Sequence, residues 1–273
     1  MCRFSLIVAT MGRTEELGIL LASIVRQQRQ DVELIVVDQN DDERVPPLLA
    51  SLPKNLRVQH VRIAEKNVSR ARNAGIAQAR GDILAFPDDD CWYPLHLLDE
   101  VDTWFREHGD YSVLSVGAVD NEGIPSGNRW IQHECDITPF NSIRTTFCSS
   151  LFIALRPECM ATSFDENVNR GEETDFVLRL LATGLRGRFD RRLHVHHPRR
   201  DMLSGTVTPE RAWSYGAGMG RLVRRHSLFF LWFTLLAYDA ARAAIVFVCG
   251  QRNDARFCWS HTQGLFWGFV DTR

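Results

Sequence analysis

The stretch Ile83-Leu84-Ala85-Phe86-Pro87-Asp88-Asp89-Asp90 sets three carboxylates at the end of a short apolar run. Adjacent carboxylates repel one another unless a cation sits among them, and a hard divalent ion with oxygen ligands, Mn2+ or Mg2+, meets that need. A solvated turn or a helix N-terminus also accepts acids, and for a lone triplet that plainer reading is favoured. This triplet is not alone. Asp38 closes Val36-Val37-Asp38-Gln39-Asn40, and Gly171-Glu172-Glu173-Thr174-Asp175 opens a later helical pattern. Carboxylates at separate places allow one group to hold a metal while another accepts a proton. Taken by themselves, Glu172, Glu173 and Asp175 are equally well ordinary first-turn acids. Leu193-His194-Val195-His196-His197-Pro198 follows about twenty residues later. Imidazole is a common metal ligand, but a lone histidine is more often structural, and strand register decides whether His196 or His197 points inward.

The elements that must position these groups follow from the apolar pattern. Phe4–Ala9 and Val32–Val37 are nearly continuous apolar runs, separated by a segment whose Leu17, Leu20, Leu21, Ile24 and Val25 recur at helical spacing. Strand, helix, strand with parallel pairing is the expectation. A third strand at Leu56–Ile63 leads into a helix over about Ser69–Arg80, which Asn67 or Ser69 can cap, and then into a buried strand at Ile83–Phe86. Alternating units of this kind make a doubly wound α/β sheet, in which ligands sit beyond the carboxyl ends of the strands. Thr10, Asp38 and Asp88 to Asp90 all fall there.

The second half is less regular. Leu95–Glu107 and Glu172–Thr183 read as helices, Tyr111–Val119 and Cys148–Leu155 as strands, and Asp120–Thr138 as a polar loop with Gly123, Pro125 and Gly127. Leu228–Cys249 is strongly apolar, but Asp239 and Arg242 interrupt it, making it a poor single span. An interfacial or re-entrant helix is expected there, ahead of a buried core helix, because Arg221, Arg224 and Arg225 precede it and Trp232, Trp259 and Trp267 lie in or after it.

Bulk properties narrow the function. A chain of 273 residues, 45% hydrophobic, can bury a full core, and its formal net charge of −2 argues against a dedicated nucleic-acid binder. Ten arginines between Arg186 and Arg225 face only Asp190, Asp201 and Glu210, so the C-terminal third suits an anionic partner. Lysine occurs only at Lys54 and Lys66, which codon bias explains. The seven cysteines show no zinc-like spacing, and a reducing compartment fits them. The apolar run at the N-terminus is too short for a secretory signal and reads as a buried first strand.

The order of these pieces resembles glycosyltransferase family 2, the inverting transferases of GT-A fold, over roughly Arg3 to Arg200. The family's first strand and Thr-containing turn are matched by SLIVATMGR, and its base-recognising acid by ELIVVDQND. Its N-x-G helix and D-x-D motif are matched by NVSRARNAGIAQARGDILAFPDDDCWYP, and its Glu-Asp motif by RGEETDFVLRLLATG. The run from Asn67 to Tyr93 is the most specific of these. The resemblance implies an α/β fold of GT-A type, with a Rossmann-like, mostly parallel sheet flanked by helices and a helical, partly apolar C-terminal extension. It places the transferase domain at residues 1–205, split into a nucleotide-binding half (1–115) and an acceptor-binding half (116–205), with the extension at 206–273.

Residue by residue, it implies that Thr10 and Arg13 shape the nucleotide pocket and that Asp38 meets the base, with Asn40 nearby. Arg70, Arg72 and Asn73 would face the nucleotide or its phosphates. Asp88 would meet ribose or metal, Asp90 the metal, and Asp89 would take the middle position. Relatives often place a histidine near the metal or diphosphate, and His197 is the favoured candidate over His196. The last motif departs from the family pattern: Glu172-Glu173 replaces Glu-Asp, so the base would be Glu173, with Glu172 and then Asp175 as alternatives. The implied reaction is metal-dependent, inverting transfer from a nucleotide sugar to a saccharide or lipid-linked saccharide acceptor, as in surface polysaccharide synthesis. The expected place is the cytoplasm, with peripheral contact at an anionic membrane face. A nicotinamide oxidoreductase needs G-x-G-x-x-G after the first strand, where Ala9-Thr10-Met11-Gly12-Arg13 stands instead, and Gly216, Gly218 and Gly220 follow no strand. A sugar nucleotidyltransferase lacks its Gly-rich, basic loop. A catalytically silent module that binds a nucleotide sugar or a partner protein is the remaining alternative.

Overall fold

The structure, a computed structural model, describes residues 2–126, 131, 133–145, 147, 149–155, 161–198 and 208–271. Gly127, Cys148, Cys159 and the expected boundary at 205/206 lie outside these residues. The chain forms two compact units, residues 1–166 with 176–199 and residues 167–175 with 200–273.

The first unit opens with β1 (Phe4–Thr10), α1 (Glu15–Val25), β2 (Val32–Asp38), α2 (Val45–Ala50), β3 (Arg57–Arg62), α3 (Val68–Ile76) and β4 (Ile83–Ala85). Every residue of β2 is buried, as a strand covered on both faces requires. β1 pairs in parallel with β2 in a register that sets Thr10 beside Asp38, and it pairs in parallel with β4 on its other side. β3 is an edge strand, which explains its exposed Arg57, His60 and Arg62. Asn67 is the cap of α3, its side chain accepting from the Arg70 N–H. Gly75 lets α3 lie against the Ile7 side chain, where a Cβ would collide.

α4 (Leu97–Glu107), β5 (Val113–Val119), β6 (Cys135–Asp136), β7 (Leu151–Ala154), α5 (Glu172–Ala182) and β8 (Gly187–His196) follow. The eight strands are ordered β3-β2-β1-β4-β7-β5-β8-β6, and β7 runs antiparallel to both β4 and β5. β5 and β8 are parallel, with a register shift that passes over residues 191–193. Two buried clusters fill the two faces of the sheet, one around Leu6, Leu34 and Trp104, the other around Ile7, Phe86 and Phe176. This is the expected GT-A-like α/β architecture. The first turn of α5 belongs to the second unit and its remaining turns to the first.

The second unit holds α6 (Pro209–Arg225), α7 (Phe229–Val248) and α8 (Arg252–Val270). Gly216 and Gly220 of α6 face the backbone of α8 at His261 and Leu265, while Gly264 and Gly268 of α8 face the backbone of α6 at Trp213 and Ala217. Side chains at these positions would hold the helices apart, so the two small-xxx-small spacings specify backbone-to-backbone contact. α7 runs unbroken past Asp239 and Arg242 and is long and apolar enough to cross a membrane by length and composition. Its Phe230 is 74% exposed and its Val248 84%, so it is not the buried core helix that the sequence left open. Asp239 accepts from His261 Nδ1 of α8 at 2.7 Å, which gives one charged group of the apolar helix a hydrogen-bond partner.

Candidate active site

The parallel strands deliver the acidic groups to one edge. β4 ends at Ala85, and Phe86-Pro87 carries the chain from the buried strand to Asp88, Asp89 and Asp90. Phe86 is anchored between Phe164 and Phe176 by edge-on contacts at 5.2 and 6.2 Å, which fixes where the triplet emerges. The three carboxylates then diverge. Asp89, 5% exposed, accepts from the Thr10 hydroxyl at 2.8 Å and from Arg13. Burial raises its pKa, with Arg13 and Thr10 opposing the rise. Arg13 also pairs with Asp90 at 2.8 Å, and Arg72, 4% exposed, pairs with Asp88 at 3.2 Å.

Opposite them stands His197, immediately after β8. Its Nε2 lies 3.4 Å from Asp90 and 3.9 Å from Asp88, and its Nδ1 donates to the Pro198 carbonyl at 2.9 Å. Ligand atoms of Asp88, Asp90 and His197 all fall within 4.8 Å of one another. Burial opposes the charged imidazolium, but the hydrogen bond and charge of Asp90, with Asp88 behind it, prevail and raise the His197 pKa. His196 turns the other way. Its ring stacks on Trp92 at 5.2 Å, the two residues exchange backbone hydrogen bonds at 2.9 Å, and burial lowers its pKa. Of the two histidines, it is His197 that lies beside Asp88 and Asp90.

The remaining expected residues divide into two groups. Gly12, at φ +80°, donates its N–H to Asn40 Oδ1 at 2.7 Å, and Asn40 Nδ2 donates to Asp38 at 2.7 Å, so the turns after β1 and β2 are tied together. Asp38 is fully buried and also meets His60 Nε2 at 3.0 Å. Arg70 and Asn73 are not brought into the acidic cluster. Arg70 pairs with Glu166 at 2.7 Å and Glu65 at 3.1 Å, and Asn73 both donates to and accepts from the Phe164 backbone, at 2.9 and 2.8 Å. Their spacing on α3 explains the split: Arg72 lies on a different face from its neighbours at 70 and 73.

Glu172 and Glu173 open α5 and are half-buried. Asp175 is a different case: fully buried, it accepts from His226 Nε2 at 2.9 Å and pairs with Arg225 at 3.1 Å. Its carboxylate joins α5 to α6 within the second unit. Sequence reasoning gave no role to His60, Trp92, Phe164 or Glu166. Trp92 stood inside the most specific motif, but neither it nor the others carried a spacing signal.

Comparison with known proteins agrees with this geometry. The profile described as glycosyl transferase family 2 matches residues 5–158. The uncharacterized glycosyltransferase YwdF of Bacillus subtilis is 28% identical over 183 residues, covering 65% of this chain and 67% of its own length. The poly(ribitol-phosphate) beta-N-acetylglucosaminyltransferase TarS of Staphylococcus aureus is 25% identical over 130 residues, 46% of this chain and 23% of TarS, so the chain spans under a quarter of that relative. Among solved structures, the mannosyltransferase PcManGT of Pyrobaculum calidifontis, in complex with GDP-Man and Mn2+, superimposes with a TM-score of 0.67 at 16% identity, over 99% of this chain and 88% of its own. With more than half of its length matched by the family profile, the chain belongs to glycosyl transferase family 2 and, with it, to the glycosyltransferases.

Proposed function

We propose that the chain transfers a sugar from a nucleoside-diphosphate sugar to an acceptor hydroxyl in a metal-dependent reaction that inverts the anomeric centre. The observation that carries this reading is the Asp88, Asp90 and His197 cluster at the carboxyl edge of the sheet. Two carboxylates and one imidazole are a donor set that suits Mn2+ or Mg2+ and leaves coordination positions for phosphate oxygens. The Nδ1 hydrogen bond of His197 to Pro198 leaves Nε2 as the ligating atom. When bound, the ion supplies positive charge to the departing diphosphate. Arg72 steadies Asp88, and Arg13 with Thr10 holds Asp89 and Asp90, so the acidic edge is fixed before substrate arrives. Buried Asp38 and Asn40 support recognition of the nucleotide base, and Glu173 accepts the proton of the acceptor hydroxyl, with Glu172 as its rival. Arg70 and Asn73 act by shaping the wall of the donor pocket.

The transferase part runs to about residue 205, with residues 1–115 serving the nucleotide and 116–205 the acceptor, and the helices beyond form the extension. Relatives support a donor of this class: PcManGT is described with GDP-Man and Mn2+, and TarS with UDP-GlcNAc. A saccharide or lipid-linked saccharide is the acceptor class; the acceptor named for TarS is a different polymer, a poly(ribitol-phosphate). The exposed apolar face of α7 and the exposed Trp259 and Trp267 of α8 support peripheral contact with an anionic membrane at its cytoplasmic face. A thermal-shift panel of nucleotide sugars, each with and without Mn2+, tests the reading, because a ligand that binds the native state raises its stability. A donor that stabilises the protein only with Mn2+ is expected. Absence of such a shift across uridine, guanosine and thymidine diphosphate sugars would defeat it.

A further inference from the structure

The second unit contains a polar cavity of about 360 Å³ that the donor site does not use. Asn167, Asn169 and Arg170 line one side, and Arg221, Arg224 and Arg225 of α6 line the other. Only two acids, Asp175 and Asp271, stand against these four arginines. The positive charge is incompletely cancelled. Arg225 spends its Nε on Asp175, and His226 also serves that carboxylate. Arg224 donates through Nη1 to the backbone carbonyls of Phe269 and Asp271, both at 3.0 Å, which orients its guanidinium without neutralising its charge. The Arg170 guanidinium lies over the Tyr215 ring at 4.7 Å, and Arg221 is exposed and has no ion pair among the described residues. Arginines held by an aromatic face or by neutral carbonyls are pre-oriented, and several such forks converging on one concavity match the oxygens of a phosphate group. The two asparagines add donors that a phosphate ester can use.

The place of this cavity in the chain narrows its ligand. Residues 167–170, one residue before Glu172 and Glu173, line it, and so does Asp175, two residues after Glu173 in the same helical turn. The donor diphosphate has its own residues in Asp88, Asp90 and His197, whereas this cavity is lined by residues on either side, in sequence, of the pair proposed to take the acceptor's proton. We propose that the cavity binds a phosphate group carried by the acceptor, so that this glycosyltransferase acts on a phosphate-bearing saccharide or polyol. The word acceptor rests on the glycosyl-transfer reading above; the phosphate site itself does not.

The test uses the full chain with a chelator present, so that no divalent ion bridges phosphate to the acidic edge. Inorganic pyrophosphate is titrated into the wild type and into Arg221→Gln and Arg170→Gln by calorimetry, with melting curves showing that each variant is folded. Removing one charge-assisted contact should weaken binding about ten- to hundredfold in each variant. Unchanged affinity in both variants, or no binding to the wild type, overturns the site. Competition then separates the two sources of phosphate: a prenyl-phosphate-linked saccharide in detergent micelles or a polyol phosphate oligomer. Displacement of pyrophosphate by either supports the inference and identifies the source, and displacement by neither overturns it. Binding of the nucleoside diphosphate with Mn2+ should be the same in all three proteins. Its loss in Arg221→Gln would reassign the cavity to the donor and overturn the acceptor claim. Arginine-dependent pyrophosphate binding in a protein that turns over no nucleotide sugar would support the phosphate site while defeating glycosyl transfer alone.

Discussion

The acidic edge of the sheet and the helical second unit place their polar groups in opposite ways. At the edge, each charged side chain is delivered by the end of a buried strand and then held by a named partner: Asp89 by Thr10 and Arg13, Asp88 by Arg72, Asp90 by Arg13 and His197. In the second unit the backbone contact of α6 and α8 comes first, made by four glycines, and arginines project from that frame into a cavity. The first arrangement suits chemistry that needs fixed positions within tenths of an ångström. The second suits binding of a larger, variable partner. The Glu172-Glu173 pair proposed as the base lies at the junction in sequence, because the first turn of α5 belongs to the second unit and the rest of the helix to the first.

The comparison breaks most visibly at the base. Glu173→Gln keeps the shape of the side chain but cannot accept a proton, so turnover at saturating donor should fall roughly 10²- to 10⁴-fold while donor affinity persists. Glu172→Gln should cost less, since successive helix positions point about 100° apart and only one can face the acceptor. Asp175 lies three residues after Glu172, on nearly the same face, and is turned toward Arg225 and His226. A greater loss in Glu172→Gln than in Glu173→Gln would move the base by one residue.

A smaller effect probes the packing of the second unit. Gly264→Ala puts a methyl group against the α6 backbone and should destabilise that unit by about 1–3 kcal/mol, read as a lower melting temperature or a separate early transition. Gly123→Ala, with open space around its Cβ but φ +75°, should cost about 1 kcal/mol through backbone strain alone. Equal stability of wild type and Gly264→Ala would mean that the helices are not held in backbone contact.

The smallest and most condition-dependent effect concerns the apolar helix. Phe230→Ser and Phe233→Ser together remove aromatic surface from the exposed face of α7 and should reduce co-sedimentation with anionic liposomes at low salt. Higher salt should weaken what remains by screening the arginines. Wild-type protein that ignores anionic liposomes even at low salt would leave the apolar face to another partner.

The same contrast explains what was legible in the sequence. Uninterrupted apolar runs such as Leu34 to Val37 can be little other than buried parallel strands, and once β1, β2 and β4 are placed, Thr10, Asp38 and the aspartate triplet must emerge at one edge. The histidine pair was not legible, because side chains alternate along a strand and the shift at residues 191–193 of β8 changes which face each meets. Asn73 and Arg70 carried the right residue types, yet their partners, Phe164 and Glu166, lie more than ninety residues away and left no local signal. For α7, Asp239 and Arg242 argued against a span on composition. The structure supplies a partner for Asp239 in His261 that only the fold reveals.

The central claim is that Asp88, Asp90 and His197 hold the divalent ion through which the donor binds. Measuring Mn2+-dependent binding of the nucleoside diphosphate to Asp90→Ala tests it most directly, with a melting curve to confirm that the first unit is folded. The Mn2+-dependent part of the affinity should disappear while the weak metal-independent part remains. Wild-type Mn2+-dependent affinity in a folded Asp90→Ala protein would contradict it.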